Sequence, residues 1–123
     1  MTRNRWIVAA VALLALTVPA AGYAVKAVTP KPATIKVSAG EYFFKLGVPK
    51  TVKPGTKVTF VVKNTGSEAH DFDFTTLSKK TKYLGPGQSA KLVVTFKKKG
   101  RFTFICSVPR HAEKGMAGVF IVK

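Results

Sequence analysis

The chain has 123 residues, room for one domain, and its 46% hydrophobic content is enough for a core. Its charge is extreme, with 21 Lys and Arg against 5 Asp and Glu, so a surface of this kind favours anionic partners. A single cysteine excludes a disulfide within the chain.

The N-terminus reads MTRNRWIVAAVALLALTVPAAGYAVK. Arg3 and Arg5 form a positive start, Trp6 to Val18 an apolar stretch, and Pro19, Ala20, Ala21, Gly22 and Ala24 a small-residue region suited to cleavage after Ala24. That is the pattern of an export signal. The same run, uncharged from Trp6 to Val25, is also about the 20 residues a membrane-spanning helix needs, so an uncleaved anchor over residues 1–24 is the alternative. Arg3 and Arg5 would then stay on the cytoplasmic side. Either way the rest of the chain is expected outside the cytoplasmic membrane: periplasmic, or on the extracytoplasmic face. No cysteine lies near the cleavage site, which speaks against a lipoprotein. Export also removes the protein from nucleic acid, leaving acidic proteins or an anionic membrane surface as partners for the basic domain. A lone cysteine in an oxidising compartment is buried, paired between chains or bound to a metal.

Residues 25–33, VKAVTPKPA, hold two prolines and no periodicity and read as an extended linker. Short strand-like runs follow: TIKVS (34–38), EYFFKL (41–46), KTV (50–52), KVTFVVK (57–63), AHDFDF (69–74), TKYL (81–84), SAKLVVTF (89–96), RFTFIC (101–106) and GVFIVK (118–123). In AHDFDF the alternation puts His70, Phe72 and Phe74 on one face and Asp71 and Asp73 on the other. Turn residues separate the runs, as at Lys53-Pro54-Gly55-Thr56, Asn64-Thr65-Gly66 and Gly85-Pro86-Gly87. Leu77 to Lys80 holds at most a short turn, and Lys97-Lys98-Lys99 reads as a solvated turn. Val, Thr, Ile and Phe dominate the runs, and turns arrive every eight to twelve residues. The expectation for 34–123 is an all-β, Greek-key antiparallel sandwich of about seven to eight strands.

The stretch CSVPRHAEKGM, residues 106–116, gathers the single cysteine, one of two histidines and the only methionine besides Met1. Cys106 ends a strand, at the rim where loops carry function. Thiolate, imidazole and thioether in one loop are three parts of a type 1 copper site, in which two histidines and a cysteine form a trigonal plane under a weak axial methionine. His70 is the only remaining histidine. The domain then commits His70, Cys106, His111 and Met116 to one metal.

These residues resemble the cupredoxins, the type 1 (blue) copper proteins. The loop is similar to the family motif Cys-x-x-x-x-His-x-x-x-x-Met, with a cysteine–histidine gap like that of azurin and a histidine–methionine gap like that of plastocyanin. VTFVVKNTGSEAHDF resembles the family's first-histidine segment, and GPGQSAKLVVTFKKKGRFTFICSVPRH its later strands. The resemblance covers residues 34–123. It implies one copper per chain, with His70, Cys106 and His111 as strong ligands, Met116 as the axial one, and the Ala69 carbonyl as a weak contact. Arg110 stands where the family often has glycine, and Asp71 where plastocyanins often have asparagine. The resemblance also implies a non-enzymatic electron carrier. No histidine remains for an oxidase or nitrite-reducing centre, and a binuclear copper centre needs a second cysteine. The alternative from another class is a copper transport or delivery protein using the same ligands. For the carrier we expect a monomer exchanging electrons through the exposed edge of His111. Its partner would be an acidic cytochrome or another cupredoxin, docking on an apolar patch rimmed by Arg110 and Lys114.

Overall fold

A computed structural model of the chain describes residues 10–24, 26 and 28–123. The positive start at Arg3 and Arg5 and the beginning of the apolar run therefore lie outside the described residues. Residues 10–24 form neither helix nor strand and are exposed. Among the described residues no helix is long and apolar enough to cross a membrane.

Nine strands make the fold: β1 Ala33–Gly40, β2 Phe43–Leu46, β3 Thr51–Val52, β4 Thr56–Asn64, β5 Asp73–Phe74, β6 Lys79–Lys80, β7 Ser89–Phe96, β8 Gly100–Ile105 and β9 Ala117–Val122. They form a four-stranded sheet ordered β2-β1-β4-β7 and a five-stranded sheet ordered β3-β9-β8-β5-β6. In β4 and β7 every second residue is buried: Val58, Phe60 and Val62, then Leu92, Val94 and Phe96. A side chain period of two leaves no other way to give each strand one apolar face.

The sandwich is the architecture expected, with nine strands among the described residues where about seven to eight were expected. Pairing is not wholly antiparallel, because β1 runs parallel to β4 and β3 parallel to β9. Between β2 and β4 the chain crosses to the second sheet through β3. The strands expected at 69–74 and 81–84 shrink to β5 and to a single bridge between His70 and Leu84, while Lys79–Lys80, expected as a turn, forms β6. The reason is local. The Phe72 N–H donates to the Thr81 side-chain oxygen at 3.1 Å, in place of a backbone carbonyl.

Phenylalanines fill the space between the sheets. Phe60, wholly buried on β4, meets Phe72, Phe74, Phe96 and Phe120 with ring centroids 5.3, 5.3, 6.3 and 5.4 Å apart. Such packing adds a specific ring–ring term to the burial of apolar area. It also fixes Phe72 and Phe74, and so the segment that begins at His70. Phe60→Ala should cost about 3–5 kcal/mol, read as the fall in unfolding free energy of the metal-free chain in urea. A loss below about 1 kcal/mol, the scale of an ordinary single substitution, would show that this ring does not centre the core.

Candidate metal centre

The ligand loop is the connection between neighbouring antiparallel strands. β8 and β9 pair as far as Ile105 opposite Ala117, so Cys106 and Met116 are the next facing residues. The Cys106 N–H donates to the Met116 carbonyl at 3.0 Å, and the Met116 N–H to the His111 carbonyl at 3.1 Å. Further loop bonds run from His111 N–H to Val108 O and from Gly115 N–H to Ala112 O. Gly115 takes φ +101°, a conformation that suits glycine. Arg110 takes φ +70°, so the position where the family often has glycine is a left-handed turn, held here by a residue with a Cβ.

His70 arrives by a different route. β5 pairs with β8 through Asp73 opposite Ile105 and Phe74 opposite Phe104, which lays the preceding residues beside Cys106. The bridge with Leu84 holds the His70 backbone from the other side, His70 N–H to Leu84 O at 3.0 Å and Leu84 N–H to His70 O at 2.7 Å. Asp71 was expected on the face opposite His70. It is 1% exposed, and its carboxylate accepts from the Ser107 N–H at 2.6 Å and from the Ser107 hydroxyl. This carboxylate ties the two ligand-bearing segments together.

The donor atoms converge. His70 Nδ1 lies 3.2 Å from His111 Nδ1, and Cys106 Sγ lies 3.9 Å from the first and 3.5 Å from the second. All three residues are buried, and Met116, joined to Cys106 and His111 by backbone hydrogen bonds, is wholly buried as well. Burial pushes the Cys106 thiol up, while hydrogen bonds from the backbone of Asp71 and Val108 pull it down.

Both imidazoles are held from behind by carboxylates. His70 Nε2 lies 3.0 Å from Glu41 Oε1, and His111 Nε2 2.9 Å from Glu68 Oε2. The Glu41 oxygen also accepts from the Ser67 and Glu68 N–H groups at 2.8 and 2.7 Å. Hydrogen bonding from Glu68, then from His70 and Ser67, holds the Glu41 carboxyl below its usual range against the opposing effect of burial. Gly66 completes this cradle, because a Cβ there would collide with the Glu41 carboxylate. Asn64, fully buried, braces the loop. Its amide donates to Glu68 O at 2.6 Å and Leu84 O at 2.7 Å, while its side-chain oxygen accepts from Gly66 N–H at 2.8 Å.

This arrangement is the test of whether the residues fit a metal, and they do. An ionised carboxylate only accepts hydrogen bonds, so it places the ring proton on Nε2. In the neutral imidazoles both Nδ1 atoms then carry bare lone pairs, aimed at each other and at the thiol. A soft cation accepting from two imidazoles and a thiolate removes that conflict. Carboxylate–histidine pairs are also the usual support behind metal-bound imidazole.

The exposed edge expected of His111 is not found. The residue is 6% exposed. Glu68 takes its Nε2, and Tyr42 packs edge-on against the ring at 4.9 Å. Tyr42 in turn donates to Glu68 Oε1 and accepts from Lys114 Nζ, both at 3.1 Å. Sequence reasoning passed over Glu41, Tyr42 and Glu68, reading the first two as part of a strand. In the structure they form the β1–β2 turn, which reaches across to the ligand loop. The available signal was the scarcity of acids, only five in the chain.

Known proteins resemble this arrangement. Residues 6–122 match the model of the cupredoxin-like domain. The copper-resistant cuproprotein CopI of Rubrivivax gelatinosus is 34% identical over 92 residues, 59% of this chain and 56% of its own. The chain thus spans about half the length of that curated relative. Dithionite-reduced auracyanin from Roseiflexus castenholzii superposes with a TM-score of 0.60 at 25% identity, covering 78% of this chain and 99% of that one. Auracyanin A, a "blue" copper protein from Chloroflexus aurantiacus, gives 0.62 at 19% identity over 76% of this chain and 100% of its own, a likeness of fold.

Glu41→Ala should weaken copper binding about 10–100-fold in competition against a chelator. Gly66→Ala should weaken it in the same direction without removing any carboxylate. Unchanged affinity in both variants would show that the cradle does not hold the His70 ring.

Proposed function

The chain belongs to the cupredoxin-like family, and from that premise we propose that it is an exported electron carrier whose copper is held by His70, Cys106, His111 and Met116. Copper bound there supplies one-electron chemistry by alternating between Cu(I) and Cu(II). The single observation that carries the reading is the convergence of three buried donor atoms with both Nε2 atoms already engaged by carboxylates.

The residues around the metal do the rest. The β8–β9 ladder fixes Cys106 and Met116, the Asp71–Ser107 tie fixes the distance to the His70 segment, and the two glutamates hold the rings. A ligand set held on rigid elements supports both oxidation states without rearranging. All the histidines, and the one cysteine, are used, so neither a catalytic base of that kind nor a second metal position is part of this proposal.

Export is proposed from the N-terminal pattern, and an acidic redox protein as partner from the 19 Lys and Arg against 5 Asp and Glu that remain beyond Arg3 and Arg5. With His111 covered, such a partner meets half-buried Tyr42 together with exposed Pro109 and Arg110.

The copper-delivery reading is favoured by one observation, the likeness to a relative named as a copper-resistant cuproprotein. The carrier reading predicts rapid electron self-exchange and slow loss of copper to a partner; the delivery reading predicts the reverse.

Cys106→Ser should abolish the intense thiolate-to-copper absorption of the Cu(II)-loaded chain. Met116→Gln should keep copper and lower the reduction potential, because an axial thioether tunes the site more than it builds it. An intense visible band surviving in Cys106→Ser would remove Cys106 from the site. Loss of copper from Met116→Gln, or an unchanged potential, would remove Met116 from the axial position.

A further inference from the structure

The outward face of the four-stranded sheet is a lysine array without a single acid. Alternation puts Lys36 of β1, Lys45 of β2, Lys57 and Lys63 of β4 and Lys91 of β7 on that side, all exposed. Register sets them in rows across the strands. One row runs Lys45–Ser38–Lys63–Ser89, and the next Lys36–Val61–Lys91. Neighbouring strands lie about 4.8 Å apart, so lysines within a row are about 10 Å apart. Around them stand mostly small or β-branched side chains, such as Thr59, Val61 and Val93, with one exposed aromatic, Phe43, beside Lys45 at the β2 edge. Among the described residues no lysine or arginine is in a salt bridge; both ion pairs are the histidine–glutamate contacts of the metal centre.

The acids are all elsewhere. Glu41 and Glu68 meet the imidazoles, Asp71 grips Ser107, Glu113 lies in the ligand loop and Asp73 is on β5 of the other sheet. Like charges spread over one sheet face repel one another and contribute nothing to folding that Thr or Ser would not. A one-sign face of this kind keeps the chain soluble and attracts anions.

We propose that this lysine face docks the domain on an anionic lipid bilayer. Three observations select a bilayer over a protein. The charges are all lysine, a point charge that makes no fixed two-pronged geometry, as arginine does. The sheet residues between them include no Trp, Tyr or Arg, the anchors on which protein interfaces rely. The array is distributed across all four strands, as suits a fluid, planar field of headgroups where each lysine contributes independently. The linker also enters this same sheet, at β1, after the uncharged run of residues 6–25. The metal centre sits at the ends of β8 and β9, at the rim of the sandwich. Docking through the sheet face therefore turns the site sideways, along the membrane plane, and leaves Tyr42 and Arg110 free for a partner held at the same height. The inference does not depend on what the metal does.

The test is lysine footprinting of the full chain with an amine-reactive reagent, read residue by residue by mass spectrometry. Vesicles of mixed phosphatidylglycerol and phosphatidylcholine are compared with phosphatidylcholine alone, so that any insertion of the apolar run is common to both. Lys36, Lys45, Lys57, Lys63 and Lys91 should lose reactivity several-fold on the anionic vesicles and regain it as salt shortens the screening length below about 8 Å. Lys79, Lys80 and Lys82 should stay reactive. In K36Q/K63Q/K91Q the protection of Lys45 and Lys57 should collapse. Equal protection of all lysines, none, or protection confined to Lys97–Lys99 would overturn the proposal. So would protection of the five by an acidic protein and not by vesicles, which would make this a protein-docking face.

Discussion

The metal end of the molecule hangs on the pairing of two short segments, Asp73–Phe74 of β5 with Phe104–Ile105 of β8. Two residues of ladder are little by themselves. They hold because Phe72 and Phe74 are buried among Phe60, Phe96 and Phe104. The core thus supplies what the short ladder cannot. The Asp71 carboxylate then locks the register on the loop side by taking the Ser107 N–H. Slip this pairing by one residue and His70 turns to the opposite face, because the side-chain period of a strand is two.

Much of this was legible in the sequence, and the rest was hidden for identifiable reasons. Strands β1, β4 and β8 alternate in sequence, and β7 and β9 show through their β-branched and aromatic content between turn residues. The ligand residues were legible because Cys, His and Met are rare here and each has few structural uses at a strand end. The β5–β6 region was not, since its bonding runs through the Thr81 hydroxyl, which no alternation pattern registers. Glu41 lay hidden for a similar reason. Its role depends on a turn bringing residue 41 against residues 66–70, and on the missing side chain of Gly66. A glycine in Asn-Thr-Gly reads as turn punctuation; that it also leaves room for a carboxylate 25 residues upstream is a fact of three dimensions.

The covering of His111 follows from the same turn. Tyr42, next to Glu41, leans on the His111 ring while its hydroxyl joins Glu68 to Lys114. Lys114 also lies over the Tyr42 ring, 4.4 Å from its centroid. One of the two cations expected to form a free docking rim is therefore engaged in holding the cover in place. Charge at this end is mixed, whereas the face of the four-stranded sheet carries five lysines and no acid.

That division makes electrostatic sense of a chain with so few acids. A carboxylate behind a metal-bound imidazole raises its basicity and fixes its orientation. It also offsets part of the positive charge that a cation brings into a buried site, where unpaired charge is costly. Glu41 and Glu68 do this from positions only 26% and 46% exposed at the side chain, close enough to the rings to act and still partly hydrated. Two glutamates on the sheet face would weaken attraction to anions and do nothing for the metal. Moving the same two charges to the imidazoles serves both ends, so the charge pattern of the surface and the chemistry of the centre are parts of one arrangement.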